Sequence, residues 1–283
     1  MSVDKSTQIN KARVLLSLHT QTALLVLPNI WNPIGARVLQ AKGYPAVATA
    51  SAAISASLGY RDGEKLKRST LIDLTGRIAR SVDVPVTADI EAGYGGTIAD
   101  LAETINEVID SGVVGVNIED SFEVEGVLRP IEEQCQRISV ARQVADRRGI
   151  PLVINARVDS FLSSSFVDHG DATEDALTRA RAYAEAGADC IYPIGPGDLE
   201  TAAALRAGIE LPINILVTPL AAPLKALETI GVNRVSFGPF VFRACLRKFV
   251  DIAETLLNQG DSSCFSDMLS EAETDEYLPD GNE

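Results

Sequence analysis

The chain has 283 residues, 46% of them hydrophobic and 23% charged, and a formal net charge of −14. That composition is globular, and the length suffices to bury a large core without staples. The charge excludes a basic surface for nucleic acid or anionic membrane. The four scattered cysteines, Cys135, Cys190, Cys245 and Cys264, form no CxxC pair or Cys/His cluster, which argues against a zinc site or a disulfide framework.

The N-terminal residues 1–13 are polar and lack the apolar core of a signal peptide, and no apolar run approaches a membrane span, so a cytoplasmic protein is expected. From residue 24 onward, short runs rich in Val, Ile, Leu and Ala alternate with amphipathic stretches of helical length. The runs are residues 24–27, 46–49, 84–88, 113–118, 152–156, 190–194, 213–217 and 234–237. Helical patterns cover residues 98–111, 132–148 and 174–186. Strands apolar on both faces mark a buried parallel sheet. Eight strand–helix units predict an α/β protein of the (β/α)8 (TIM) barrel type, with a doubly wound open sheet as the alternative. Pro85, Pro151 and Pro212 suit strand starts, and Gly112, Gly187 and Gly231 suit helix C-caps. No linker interrupts residues 1–260, which read as one catalytic domain. Residues 261–283 form an acidic tail with eight acidic and no basic residues, and its end, 274–283, reads as disordered or resting on a neighbour.

In a parallel barrel, polar residues just past the C-terminal strand ends face the active site. The run 84–88 leads into Asp89, Glu91 and Gly93-Tyr94-Gly95; the run 113–118 leads into Glu119 and Asp120; the run 152–156 leads into Arg157. Asp89, Glu91 and Glu119 are thus expected to converge with Arg157. Carboxylate oxygens suit Mg²⁺, with Mn²⁺ as the alternative. Such an ion could chelate the carboxylate and 2-oxo oxygen of a substrate and stabilise an enolate beside them. The Arg157 fork suits a carboxylate; the competing reading is a set of structural ion pairs at the barrel mouth. The glycines of 93–96 either present N–H groups to an anion or simply serve a tight turn. His19 is expected on a helix surface and His169 in a mobile loop within 163–171, with no support for a Ser-His-Asp triad. Trp31, Tyr44, Tyr60 and Tyr94 read as packing residues rather than a binding cage, with Tyr94 close to the expected site.

These residues resemble the isocitrate lyase and phosphoenolpyruvate mutase superfamily, from about Leu24 to about Leu257. The likeness is strongest in Leu27-Pro28-Asn29-Ile30-Trp31-Asn32, in Ala50-Ser51-Ala52 through Ser57-Leu58-Gly59-Tyr60-Arg61-Asp62-Gly63, in Ala88 to Gly95, in Asn117-Ile118-Glu119-Asp120, and in Asn155-Ala156-Arg157-Val158-Asp159. The resemblance implies a barrel whose eighth helix is swapped between subunits, in a homotetramer, with Mg²⁺ held largely through water. It implies a metal site at Asp89, Glu91 and Glu119. Catalysis would rest on Asp62, which also matches an acidic metal-site position, on Glu119 and on Arg157. Ser51, Ala52, Gly93, Tyr94, Arg129 and Arg157 would contact a small carboxylate substrate. Departures matter as much. Superfamily members that cleave isocitrate-like substrates carry a Lys-[Lys/Arg]-Cys-Gly-His loop after the Glu-Asp pair, and those with phosphoryl chemistry carry a lysine and an asparagine there. Here the loop reads Ser121-Phe122-Glu123-Val124-Glu125-Gly126-Val127-Leu128-Arg129-Pro130, with Arg129 its single cation, and Ile194 stands where the lyases place a glutamate. Glu123 and Glu125 would repel a phosphoryl group. The expectation is therefore a Mg²⁺-dependent lyase, decarboxylase or hydrolase acting on a C–C bond of a 2-oxo or 2-hydroxy carboxylate. P–C bond chemistry and a non-catalytic 2-oxo acid-binding barrel are the alternatives.

Overall fold

The structure, a computed structural model, describes residues 4–122, 126–166, 168–195 and 197–278. Its strands are β1 (Leu25–Leu27, continuing past Pro28 as Asn29–Ile30), β2 (Val47–Thr49), β3 (Val86–Asp89), β4 (Gly115–Glu119), β5 (Val153–Val158), β6 (Cys190–Pro193), β7 (Asn214–Leu216) and β8 (Arg234–Ser236). All pairings are parallel and follow chain order from β1 to β6 and from β7 to β8. A parallel bridge, Ile191 to Ile213, joins β6 to the start of β7, and Leu25 pairs with Arg234 to bring β8 back to β1. The ring is therefore a closed eight-stranded barrel, as the alternation of apolar runs predicts. The strands are buried on both faces because helices cover them outside and side chains fill the inside.

The barrel closes on a polar clasp. Buried Asn29 donates from Nδ2 to the Thr49 carbonyl at 2.7 Å and accepts at Oδ1 from the N–H groups of Phe237 and Gly238 at 2.7 and 2.9 Å. One amide side chain thus ties β1 to both of its neighbours.

The outer helices are α1 (Lys5–Thr20), α2 (Pro33–Ala41), α3 (Ser51–Ser57), α4 (Arg68–Arg80), α5 (Ile98–Asp110), α6 (Ile131–Arg148), α7 (His169–Glu185), α8 (Leu199–Gly208), α9 (Leu224–Thr229) and α10 (Phe240–Gln259). Gly112, Gly187 and Gly231 follow α5, α7 and α9 with φ of 92°, 107° and 86°, the left-handed conformation a helix stop needs. Helix α1 starts at the Asp4 cap and buries Gln8, Ala12, Leu15 and His19 at helical spacing. It plugs the N-terminal end of the barrel: a Cβ on Gly115 would lie 2.7 Å from Leu15.

Two expectations change here. His19 is not on a surface: it is fully buried, bonded through Nδ1 to the Leu15 carbonyl and lying 3.3 Å from Arg234 Nη1. Burial and the Arg234 charge lower its pKa to about 4, which keeps it neutral. His169 opens α7, so the segment 163–171 is partly helical; the His169 side chain lies outside the description. The tail forms a 3-10 turn, Ser262–Phe265, and a short helix α11, Glu271–Asp275, capped reciprocally by Ser270 and Glu273, while residues 279–283 lie outside the described residues.

Helix α10 stands apart. None of its residues is buried; Phe242 meets Trp31 edge-on at 5.2 Å, and Phe249 and Leu257 are 66% and 85% exposed. Among the described residues no helix is long and apolar enough to cross a membrane.

Candidate active site

At the C-terminal end of β3 the chain makes a strained turn. Glu91 and Tyr94 adopt left-handed φ values of 53° and 54°, and Glu64, packed against them, has 56°. Three such non-glycine residues in one place are uncommon and are held by mutual bonds. The Glu91 carboxylate accepts from the Gly63 N–H at 2.8 Å, from the Glu64 N–H and from Tyr94 Oη at 2.8 Å. Glu64 in turn accepts from the Tyr94 N–H at 2.7 Å. Glu91 is 2% exposed. Burial, with the charge of Asp62, raises its pKa to about 7 against the opposing bonds from Tyr94 and Glu64. Gly93 makes the turn tight: its φ is 102°, and a Cβ there would sit 2.4 Å from Leu101 Cδ1. Gly93→Ala is expected to cost about 1–3 kcal/mol, read as a lower melting temperature with weakened metal or substrate binding; an unchanged melting temperature would show that the turn relaxes freely.

Asp89 ends β3 and is gripped from the N-terminus of α3. The Ser51 N–H and Oγ donate to Asp89 Oδ2 at 3.1 and 3.0 Å, and the Asp89 N–H donates to Thr49 Oγ1 at 3.1 Å. Asp62, in the segment after α3, faces this carboxylate; burial and the Asp89 charge raise its pKa.

Glu119 and Arg157 are register partners at the ends of β4 and β5, which brings them together without any loop. Arg157 Nη1 lies 2.6 Å from Glu119 Oε2, while Nε and Nη2 grip both oxygens of Asp159 at 2.6 and 2.9 Å. Burial opposes the Arg157 charge, but Asp159 and Glu119 outweigh it and hold the guanidinium protonated. Burial also drives the Glu119 pKa well above the usual carboxylate range, with Arg157 opposing. A further layer supports Asp159. Its N–H donates to Asp120 Oδ1 at 2.9 Å, and Asp120 Oδ2 accepts from Tyr183 Oη at 2.7 Å and Arg179 Nη1 at 3.1 Å.

Above these groups lies a cavity of about 470 Å³ at the C-terminal mouth of the barrel. Glu119, Arg157 and Asp159 line it from the strand ends, and Asp62 from the segment after α3. Ser121 and Leu128 pair as a small antiparallel hairpin over one side, so the loop predicted to differ from relatives does border the cavity. Glu123 and Glu125 lie outside the described residues.

Some predicted substrate contacts are arranged differently. The N–H groups of Gly93 and Tyr94 go to the Ile90 carbonyl and Glu64, so they are not presented to an anion. Tyr94 instead positions Glu91. Arg129 is buried against the ring of Phe122, 4.3 Å from its centroid, and pairs with Glu133 at 2.5 Å; it does not fold over the cavity. Ser51 grips Asp89, and Ala52 is half-buried on the first turn of α3. Asp89 and Glu91 sit behind the cavity lining.

Sequence reasoning missed the supporting layer of Asp120, Arg179 and Tyr183, and the Arg137 guanidinium that bonds the Ala92 carbonyl beneath the turn. A signal for the latter was present in part: Arg137 occupies an inward position of α6, on the stripe shared with Gln134, Ile138 and Ala141.

The sequence of the phosphoenolpyruvate phosphomutase family matches residues 15–257. The chain belongs to that family. A solved structure of a "putative phosphonomutase" from Burkholderia cenocepacia J2315 is 38% identical, with a TM-score of 0.83, covering 87% of this chain and 99% of that one. An uncharacterized Mycobacterium tuberculosis protein is 32% identical over 230 residues, 81% of this chain and 83% of its own. The "Probable 2-methylisocitrate lyase 2" of Corynebacterium glutamicum is 29% identical over 258 residues, 86% of this chain and 80% of its own. The resemblance read from the motifs is thus borne out. The chain is an enzyme of the phosphoenolpyruvate mutase and isocitrate lyase superfamily, whose members among its relatives are named as lyases and mutases.

Proposed function

We propose that this enzyme is a divalent-metal-dependent lyase, decarboxylase or hydrolase that breaks a C–C bond of a small 2-oxo or 2-hydroxy carboxylate. The observation that carries the reading is the Glu119–Arg157–Asp159 array lining the mouth cavity beside Asp62, with Asp89 and Glu91 directly behind.

The donor set fits Mg²⁺ or Mn²⁺. Asp62, Asp89, Glu91 and Glu119 repel one another, and among the described lining residues Arg157 is the cation that offsets them. Hard oxygen donors of this kind suit a hydrated cation. Among the described residues, no three carboxylate, thiolate or imidazole groups converge closely enough to ligate one ion. Asp89, Glu91, Glu119 and Asp62 would hold the ion through its water shell, the mode the resemblance implies. When bound, the ion supplies positive charge beside the substrate's oxygens. The chain's own residues do the rest. Arg157 presents its guanidinium to the substrate carboxylate, kept planar and oriented by Asp159. Asp120 fixes the Asp159 backbone. Asp62 and Glu119, with raised pKa values, are placed to exchange a proton at their carboxyl oxygens.

The test is a ¹H and ³¹P NMR time course with Mg²⁺, oxaloacetate, other 2-oxo and 2-hydroxy acids and phosphonopyruvate in separate tubes, with an EDTA control. EDTA-sensitive loss of a C–C substrate is expected. Inorganic phosphate or phosphoenolpyruvate formed from phosphonopyruvate would instead favour the second reading, P–C chemistry, which the 38% identity to a "putative phosphonomutase" keeps in view. The loop's lack of lysine and asparagine weighs against it.

The raised carboxyls also set a pH dependence. A carboxyl whose folded pKa is raised binds more protons in the folded chain than in the unfolded one. Its stabilising contribution is complete below the unfolded value near 4 and is lost as pH rises through the folded value, about 7 for Glu91. The metal-free protein is therefore expected to melt at a lower temperature at pH 8 than at pH 5, with Mg²⁺ restoring stability at pH 8 and doing little at pH 5. Thermal denaturation with and without EDTA checks this; a Mg²⁺ effect of equal size at both pH values would count against the carboxylate site.

The proposal extends to a homo-oligomer in which a second copy covers α10. Exposed Phe249 and Leu257 on a helix with no buried residue support it. Light scattering should give a multiple of the 30.2 kDa chain mass; a monomer at every concentration would overturn this part.

A further inference from the structure

Arg157 and the acidic group account for the carboxylate end of the substrate; its other end meets the rest of the cavity. The cavity answers with two unlike walls. On one side Glu119, Arg157 and Asp159 line it from the strand ends, with Asp62 and Glu64 from the segment after α3, and the Arg157 fork already engages Glu119 and Asp159. On the other side the lining is Ala92 of the β3 turn with Ser121, Phe122, Gly126 and Leu162 of the loops, and the Ser121 hydroxyl is already donated to Asp159.

The apolar wall is built, not incidental. Phe122 is anchored in the hairpin by its N–H on the Val127 carbonyl at 2.9 Å, and its ring is backed by the Arg129 guanidinium. Leu162 ends a 3-10 turn and is 52% exposed, an apolar side chain offered at the rim. The two loops are clasped to each other: Ser163 Oγ and the Ser164 N–H both donate to the Gly126 carbonyl, at 2.9 and 3.3 Å. Their relative placement is therefore held by the backbone.

A second anionic group on the substrate would leave water for this wall and find no counter-charge. Among the described lining residues Arg157 is the one cation, and its fork is already engaged by Glu119 and Asp159. Desolvating an anion beside acids is costly, whereas an apolar tail gains about fourfold in affinity for each methylene buried. We infer that the substrate is a mono-anionic 2-oxo or 2-hydroxy acid whose chain beyond C3 is apolar and packs between Phe122 and Leu162. This rests on the proposed function for the carboxylate end. It separates the enzyme from relatives named for 2-methylisocitrate or for phosphonates.

The test is calorimetric titration of the full chain with Mg²⁺, first with oxalate, which presents the carboxylate end alone. 4-Methyl-2-oxopentanoate, 2-oxoglutarate and phosphonopyruvate then compete with it. The expected result is that oxalate binds and the branched alkyl acid displaces it at least tenfold more effectively than either dianion. Oxalate binding with a dianion equal or better would overturn the inference while leaving the proposed function standing. Absence of oxalate binding would overturn the proposed function and the inference with it. In Leu162→Arg, a change at an exposed position, the ratio of 2-oxoglutarate to 4-methyl-2-oxopentanoate affinity is expected to rise at least tenfold. An unchanged ratio in a variant that melts with the wild type would also overturn the inference.

Discussion

Glu119→Gln is expected to lower kcat by roughly 10²–10³-fold while leaving the melting temperature at pH 8 the same or higher. The two halves of this result come from one cause. Glu119 is largely buried at the cavity edge, where desolvation pushes its carboxyl pKa well above the usual range and Arg157, 2.6 Å away, opposes the shift. Glutamine keeps the shape and can still accept from Arg157, so the fold loses little. It removes an ionisable carboxyl from the acidic group that would hold the hydrated cation, so the cation can no longer displace a proton there and its binding weakens. Steady-state kinetics on the substrate identified by NMR, alongside thermal denaturation, separates the outcomes. Retained turnover with a lower melting temperature would make Glu119 a structural ion-pair partner and sink the proposed metal site.

Asp120→Ala should act in the opposite manner, chiefly on stability. Asp120 is fully buried; it joins the Asp159 backbone to Tyr183 and Arg179 at 2.9, 2.7 and 3.1 Å. Removing one member of a buried ion pair leaves the other charge uncompensated, at a cost of about 3–5 kcal/mol. For a barrel of this size that corresponds to a fall of roughly 10 °C in melting temperature. Arg179 retains Asp175 at 2.7 Å, so the loss stops short of unfolding. A double variant, Asp120→Ala with Arg179→Met, should recover part of the loss because the orphaned cation goes with it. If the double variant is as unstable as the two single variants summed, Asp120 and Arg179 are not coupled and the supporting layer is wrongly drawn.

Much of this architecture is legible in the amino-acid sequence. The eight apolar runs fall within one or two residues of the eight strands, because a strand buried on both faces needs an unbroken apolar segment. Glu119 and Arg157 meet because both end strands that are neighbours in the ring, and strand ends are readable from where apolar runs stop. What could not be read depends on contacts across the sequence. Asp120 directly follows Glu119 at the strand end, yet alternation along the chain turns it away from the cavity, toward a helix some 60 positions on. Arg129 looks like a free cation over the substrate; it is held by a ring and a glutamate four residues along its own helix edge. The N–H groups of Gly93 and Tyr94 look available until Glu64, 30 positions earlier, is found to accept one of them. His19 carries no apolar signature, and only the plug formed by α1 explains its burial.

The seam between β1 and β8 bears on how the chain is made. Leu25 pairs with Arg234, and Asn29 takes its last two bonds from Phe237 and Gly238. During synthesis from the N-terminus, β1 emerges with one neighbour, and the other is more than 200 residues away. Until that segment arrives the growing sheet has two raw edges, each a row of unsatisfied amide and carbonyl groups able to recruit another chain. Closure is thus a late, long-range event with a large loop-closing entropy. Weakening the Asn29 clasp, for example by Asn29→Ala, would bias nascent chains toward aggregation, and the yield of soluble protein on expression would drop further than the stability of the molecules that do close.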